Sequence, residues 1–425
     1  MKKIIIPHIH KIEGEAGFWA EVSRDGKIEK LRLQTLLGLR QIEGILIGRR
    51  VEEVPIVVSR ICGICPVVHI LNACRALENT LEVKPSSLTT LLRKLLLAAQ
   101  IIQSHALHLF FLALPDFFNI ENDLDLMKRF KKEARAALKI REFSLRVTEI
   151  IGGRAIHPMR PQIGGFSKLP DKRDIQKLSK DLSEVYDAAL FLVKTFQNLS
   201  YPSLQRKTNF VSLSPKKEYA FYQGEYILTP KTFSIGDFFS SKIEEDLRRP
   251  PVKRVKHLGK PYMLGAIARI KNNQDLLSDE AKKSLGIFLK NHNLTSEKFF
   301  ENTFYNLFCQ TIEILHFLKK IGKLIQEILK QDLKERPFKL KIQKGSSLSA
   351  MEAPRGTLFT YFEVDTNGRI LDCDIITPTA QFLNNLEEDL KVYLGNLLKV
   401  SPDERIRKIR ALIRAYDPCI SCATH

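Results

Sequence analysis

No stretch of this chain approaches the roughly 20 consecutive apolar residues that cross a bilayer as a helix. The longest greasy run, Leu107 to Leu114, takes in His108 and gives way to Asp116, and reads as the buried end of a helix. The N-terminus carries two lysines but only three consecutive isoleucines, too few for the apolar segment of an export signal. Internal repeats and low-complexity tracts are absent. Cysteine is scarce and odd in number, at 62, 65, 74, 309, 373, 419 and 422, which argues against a disulfide scaffold. Acidic residues are outnumbered, 48 against 67 Lys and Arg, for a net charge of +19 and a pI near 9.5. That excess invites a nucleic-acid reading, but the basic residues are spread along the chain, often beside acids as in Lys128–Glu133. No compact basic stripe with interleaved aromatics and no nucleic-acid motif is present. The excess reads as a lysine-rich solvated surface of the kind found in thermophiles, with docking of an acidic partner as the second reading.

What is present is ample apolar content, 44% of 425 residues, enough for a large buried core. Helix-period patterns dominate, and we expect an α+β, mainly α, fold: a long-helix bundle core with small peripheral β-sheets, as a single domain over residues 1–425. Phe18–Val22 alternates like a strand, with a turn at Asp25-Gly26 into Ile28–Leu33. Pro55–Ser59 is a β-branched run that ends at the first cysteine pair. Helices are expected from Pro66 to Glu82, from a cap at Ser86-Ser87 to a stop at Pro115, over 123–151, 171–200, 295–331, 382–399 and 402–415. Gly152–Pro170 is a Gly- and Pro-rich structured loop. Residues 201–270 read as short strands and turns, broken at Pro250-Pro251, and Ser346–Ile376 as a hairpin turning at Asn367-Gly368.

The chemistry sits in two C-x-x-C pairs, R-I-C-G-I-C-P-V-V-H at 60–69 and D-P-C-I-S-C-A-T-H at 417–425. Each short loop turns two thiolates to one side, and two loops supply four soft donors. Such a set suits zinc, an iron–sulfur cluster or a late transition metal. Zinc ribbons close short loops, whereas Cys65 and Cys419 lie at opposite ends of the chain. A site joining both ends must be deep inside the fold, buried between the N- and C-terminal motifs.

Both pairs, with their surroundings, resemble the signature motifs of nickel–iron hydrogenase large subunits. The resemblance runs along the chain through K-I-E-G at 11–14, S-H-A-L-H at 104–108 with L-P-D at 114–116, Gly153–His157, G-G-F at 164–166, E-A-P-R-G at 352–356 and I-T-P-T-A at 376–380. In detail it is similar to the cytosolic, multi-subunit branch that couples dihydrogen to NAD(P) or to sulfur reduction. The resemblance implies reversible heterolytic cleavage of dihydrogen. Nickel is expected on all four thiolates, with Cys65 and Cys422 bridging to an iron that carries carbon monoxide and cyanide, and Cys62 and Cys419 on nickel alone. Cys419 is the thiolate expected to accept a proton, and Glu13 matches the first carboxyl of the proton relay. The family has Arg where this chain has Lys11, and His is common in place of Glu15.

Arg355 matches an arginine poised over the metals, and Asp116 and Asp417 match carboxylates flanking it, since a buried guanidinium needs such partners. Thr379 matches a residue that hydrogen-bonds a cyanide. His69 matches a histidine beside a bridging sulfur, although a lone helical histidine is more often an ordinary core residue. Cys74, Cys309 and Cys373 read as buried apolar-like cysteines. A second metal, magnesium or a further iron, is implied at Glu43, the carbonyl of Ile375 and the imidazole of His425. The end at His425 suggests a mature form whose C-terminal tail has been removed, or a gene encoded without a tail, the first being the favoured expectation. Electrons need an exit, and no spare cysteine cluster is available here. An iron–sulfur small subunit is therefore expected, with further flavin- or NAD(P)-linked subunits, in a cytoplasmic complex without a membrane span in this chain. The alternative is a structural subunit of a redox complex stabilised by zinc or an iron–sulfur cluster. A third class, a quinone-site subunit of shared ancestry, lacks the cysteine pairs.

Overall fold

The computed structural model describes residues 2–38, 40–228, 231–244, 252–334 and 340–425. Its centre is four long helices, Ser87–Leu107, Lys131–Gly152, Lys172–Gln197 and Asn306–Leu329, packed in a ring so that each touches two neighbours. The first buries Leu92, Leu95, Leu96, Ala99 and Ile102, together with polar residues such as Arg93, Gln100 and His105 that find partners inside. Its start is capped by Ser86, whose side chain accepts the Thr89 N–H, as its position before an apolar period predicts. This mainly helical body with small sheets at its edges is the architecture the periodicity pointed to.

That first helix departs from expectation at its far end. Pro115 does not stop it. The chain passes through six residues of π-helix, His108–Ala113, and resumes as Leu114–Phe118. Pro115 thus falls in the first turn of a new segment, where its missing N–H is tolerated. The carbonyl of Phe111 is taken instead by Lys11 Nζ at 3.4 Å. The Ser87–Phe118 unit is in fact long and apolar enough to cross a membrane on length and hydropathy alone. However, 83% of its most apolar window is buried inside the molecule, as befits the core helix of a bundle. Other boundaries shift as well. The 123–151 pattern breaks at Phe130 into two helices, and the long helix expected from 295 begins only at Asn306. Pro55–Ser59 is not extended but lies in the short helix Val54–Val58 and the 3-10 turn Ser59–Ile61. The Pro250-Pro251 breaker lies outside the described residues.

The two sheets with the longest strands flank the bundle, among six formed by the described residues. The N-terminal one is antiparallel, Lys2–Ile9, Ala16–Val22 and Ile28–Thr35, and its first strand uses the isoleucines of the chain start, Ile4 and Ile6 facing inward. The second is not a single hairpin but three strands, Gly345–Ala353, Gly356–Val364 and Ile370–Ile376. Besides the turn at Asn367-Gly368 it has a tighter one at Pro354-Arg355. Gly356 permits that turn, with φ +130° and no room for a side chain: a Cβ there would meet Leu264 Cβ at 2.5 Å. The Pro66–Thr80 helix packs across this sheet and brings the first cysteine pair to it.

Candidate metal centre

The first pair sits where a 3-10 turn ends. Cys62 is extended, Gly63 is exposed, and Cys65 precedes the Pro66–Thr80 helix, with Pro66 in the first turn. The second pair follows the Pro402–Ala415 helix. Asp417 turns the chain with φ 54°, and Cys419 precedes the four-residue helix Ile420–Ala423. The K-I-E-G segment then receives it. The Ile420 N–H donates to the Glu13 carbonyl at 2.8 Å, and residues 13 and 419 form a parallel bridge. Gly14 allows this approach: its φ is +80°, and a Cβ would lie 2.9 Å from Ile420 Cβ.

The result gathers four buried thiols. Cys62 Sγ is 3.5 Å from Cys419 Sγ, Cys65 Sγ is 3.1 Å from Cys422 Sγ, and Cys419 and Cys422 are 2.7 Å apart. None is disulfide-bonded, and all four sulfurs lie within 4.8 Å of one another. Sulfurs bound tetrahedrally at about 2.3 Å to one ion lie about 3.8 Å apart, inside the range these four span, so the set fits a tetrathiolate metal centre. Its electrostatics ask for a cation. The Cys62 thiol is held well below its ordinary value, first by the hydrogen bond from Cys419, while burial pushes Cys419 and Cys422 well up. In this dry pocket only Cys62 is favoured as a thiolate by its neighbours, and all four sulfurs ionise together only with positive charge at their centre.

Around the sulfurs the pocket is lined by Val68, His69, Pro354, Arg355, Leu358 and Thr379. Cys419 Sγ is 2.9 Å from Glu13 Oε2, which also accepts the Ser421 N–H at 3.1 Å, while the Ser421 hydroxyl donates to Glu13 Oε1. The Cys419 N–H donates to Thr379 Oγ1 at 3.0 Å. His69 Nε2 is 3.9 Å from Cys422 Sγ, and burial holds its pKa down to about 3, so the ring is neutral.

Arg355 reaches in from the Pro354-Arg355 turn. Its Nε donates to the Asp417 carbonyl at 2.6 Å and its Nη2 to Asp417 Oδ1 at 2.8 Å. Asp116, expected on the other side of this guanidinium, instead pairs with Arg414. The reason is local: Arg355 commits two donors to Asp417, and the last turn of the Pro402–Ala415 helix delivers Arg414 to Asp116. Burial raises Asp116 to about 6 despite that partner.

These elements coincide with those of a known family. The family described as nickel-dependent hydrogenase matches residues 40–137 and 203–425. Sulfhydrogenase 1 subunit alpha of Pyrococcus furiosus is 33% identical, over 99% of this chain and 97% of that one. The chain belongs to the nickel-dependent hydrogenases. The four cysteines are the active-site set of a nickel–iron hydrogenase large subunit, the catalytic one. Sulfhydrogenase 2 subunit alpha of the same organism is 28% identical over 95% of this chain and 94% of that one. In fold, an NAD+-reducing [NiFe]-hydrogenase in its H2-reduced state superposes with a TM-score of 0.88 at 24% identity, covering all of both chains. The [NiFeSe]-hydrogenase of Dm. baculatum gives 0.81 at 21%, again over both whole chains.

Within this hydrogenase subunit a second polar cluster closes the chain end. His425 Nδ1 lies 2.5 Å from the Cys422 carbonyl and Nε2 3.0 Å from the Ile375 carbonyl, with Glu43 Oε1 4.0 Å from Nε2. Lys253, which its sequence context did not mark, donates to Glu43 at 2.6 Å and to Asp374 at 2.8 Å. A second residue missed in sequence is Arg269. Its wholly buried guanidinium bonds Glu313, Glu352 and the carbonyls of Ala353 and Pro354, which fixes the turn that carries Arg355. The S-H-A-L-H segment forms the wall behind. His105 pairs with Glu313 at 2.8 Å, and His108 bonds Gln310 and the Arg414 carbonyl. Ser421 and Arg414 also carried no local signal; Arg414 looked like one more charge on a basic helix. Cys74 and Cys309 lie in the core with their thiols pushed up by burial, away from the four.

Proposed function

We propose that this hydrogenase subunit splits dihydrogen at nickel held by Cys62, Cys65, Cys419 and Cys422, with Cys65 and Cys422 shared with an iron. The observation that carries the reading is the convergence of four buried sulfurs beside one carboxylate, Glu13. A bound nickel–iron pair with carbon monoxide and cyanide on iron supplies the centre at which dihydrogen is polarised and its electrons are accepted. The chain's own residues do the rest. Cys419 Sγ takes the proton, and Glu13 Oε2 at 2.9 Å receives it. The Ser421 N–H and hydroxyl hold that carboxylate in place. Arg355, anchored on Asp417 and with Nη1 3.5 Å from the Ser104 hydroxyl, lines the pocket, where a fixed guanidinium would stabilise anionic ligands without reorganising. Thr379 orients the Cys419 loop and would hydrogen-bond a cyanide carried by the iron, His69 is a neutral imidazole at the Cys422 sulfur, and Asp116 fixes Arg414, whose carbonyl His108 bonds.

The His425 cluster fits a divalent cation, magnesium or iron. A neutral imidazole has one N–H, yet both ring nitrogens of His425 face carbonyls. With the proton on Nδ1 toward Cys422, Nε2 and the Ile375 oxygen face each other lone pair to lone pair. Nε2 of His425, the Ile375 carbonyl and Glu43 Oε1 would hold such an ion, since the carbonyl and the carboxylate both lie within 4.0 Å of the ring nitrogen.

Electrons leave at the first cysteine loop. Gly63 is exposed there, and the segment just before it, Ser59 and Arg60, touches His157 and Met159, where Ile156 and Met159 are also exposed. An iron–sulfur small subunit docked on this face, with flavin- or NAD(P)-linked subunits beyond it, completes the enzyme, in a cytoplasmic assembly as the motif resemblance supports. The whole chain acts as a single domain, since one continuous core spans it and the site uses both ends.

Metal analysis and infrared spectroscopy of the purified enzyme test the proposal. Nickel with iron, and bands of metal-bound carbon monoxide and cyanide, are expected. Zinc without nickel overturns it in favour of a structural metal site. Cys419→Ser should abolish dihydrogen turnover.

A further inference from the structure

Arg40 lies 22 residues before Cys62 and is part of neither cysteine motif. One nitrogen of its guanidinium, Nη2, donates to two backbone carbonyls at once: that of Ile61 at 2.6 Å and that of Ser421. Ile61 immediately precedes Cys62, and Ser421 immediately precedes Cys422. The Arg40 backbone N–H donates to the Thr424 carbonyl at 2.9 Å, one residue from the chain end. Its own segment is anchored, since the Leu36 N–H donates to the Glu15 carbonyl at 3.0 Å and Gln41 turns the chain with φ 51°. Arg40 is half-buried, its Nε is buried without a partner, and no carboxylate pairs with it among the described residues. A guanidinium that spends its side-chain bonds on backbone is holding loops together, not balancing a charge.

We propose that Arg40 is the staple that sets the distance between the two cysteine loops, a positioning residue for the metal centre whose loss lets the terminal segment 418–425 swing away and release metal. Without this donor the Ile61 and Ser421 carbonyls face one another with no proton between them, so the loops move apart. Glu13 and Thr379 hold the terminal segment from its other side. Beyond the sulfur–sulfur contacts of the four cysteines, Arg40 Nη2 is what joins it to the loop of Cys62 among the described residues. The proposal rests on the metal-site reading above, and its test separates the two.

Arg40→Met and Arg40→Lys are made in the full chain with its partner subunits, and Arg49→Met, at an exposed arginine paired with Glu53, serves as control. Two quantities are read: nickel retained during incubation with EDTA, and amide hydrogen exchange of the 418–425 peptide in the nickel-free chain. Loss of a charged donor to two carbonyls predicts nickel release faster by about tenfold or more in Arg40→Met. Exchange in 418–425 should rise while that of the Pro66–Thr80 helix stays unchanged. Arg40→Lys should fall between, because an ammonium on a shorter stem bridges the pair less well. Wild-type nickel retention with wild-type terminal exchange overturns the proposal. So does exchange that rises equally in the helices 66–80 and 306–329, the mark of general loosening. Should Arg40→Met not accumulate, the same readings on Arg40→Lys decide. The exchange arm needs no metal, so a chain that never binds nickel still tests the staple.

Discussion

Cys419 meets Glu13 twice: their backbones form a parallel bridge, and the Cys419 sulfur lies 2.9 Å from Glu13 Oε2. The bridge is what makes the side-chain contact reproducible, because it locks register between a segment from each end of the chain. It also means the carboxylate can be altered without undocking the motif. Glu13→Gln keeps an acceptor for the Ser421 N–H but cannot take up and release a proton. We expect nickel content to be unchanged and dihydrogen–deuterium exchange to fall by roughly 100-fold or more, the range of a lost general base. Unchanged exchange rates with full metal content would exclude Glu13 from the relay.

The same junction explains Gly14. Any side chain there meets Ile420 and the Ser421 N–H at about van der Waals overlap, on a backbone at φ +80°. Gly14→Ala therefore adds about 1–2 kcal/mol of left-handed strain and pushes the second cysteine loop outward. Dihydrogen turnover should drop by at least about tenfold, with faster exchange in 418–425. An alanine variant of normal activity would show that the two motifs dock with slack that the backbone bridge does not suggest.

Sequence reasoning reached some features and missed others for identifiable reasons. Asn367-Gly368 is a local turn signal, and the bundle helices announce themselves by period, so both were readable. The turn at Pro354-Arg355 was hidden because the strands around it form one long β-rich stretch, and only the sheet partner reveals where it folds. Pro115 looked like a stop because the π-helical segment that absorbs it has no compositional mark. The cysteines, Glu13 and Arg355 were accessible through motifs. Lys253 and Arg269 were not: their partners lie far along the chain, and an isolated basic residue in this lysine-rich sequence reads as surface. Arg40 opens the R-Q-I-E segment that points to Glu43, but its partners, Ile61 and Ser421, are backbone carbonyls that no motif marks.

Acid should weaken the chain through buried neutral histidines. His316 accepts the Ser278 N–H at 3.0 Å, and burial holds its pKa down to about 4. The unfolded chain takes up this proton near pH 6.5, the folded one only near 4. Stability from this group is therefore full above 6.5 and is lost as pH falls toward 4, by roughly 3 kcal/mol in total. Unfolding rates at pH 7 and pH 5 should differ less in His316→Gln than in the wild type. An identical pH response in both would show that His316 does not carry this term.

The second cation is separable from the first. Its ligand set uses Glu43, whose carboxylate also accepts the Ile375 N–H at 2.7 Å and the Lys253 ammonium. Glu43→Gln removes the carboxylate charge beside His425, Asp374 being held by Lys253, but leaves an amide oxygen for Ile375 and Lys253. Magnesium or iron at that site should be lost while nickel is initially kept, because none of the four sulfurs touches Glu43. Without the ion, Nε2 of His425 and the Ile375 carbonyl repel, so the terminal residue should detach and nickel should then leak during storage. The measurement is metal content at purification and after a day in chelator. Simultaneous loss of both metals at purification would mean the two sites assemble as one unit, and full retention of both would remove Glu43 from the ligand set.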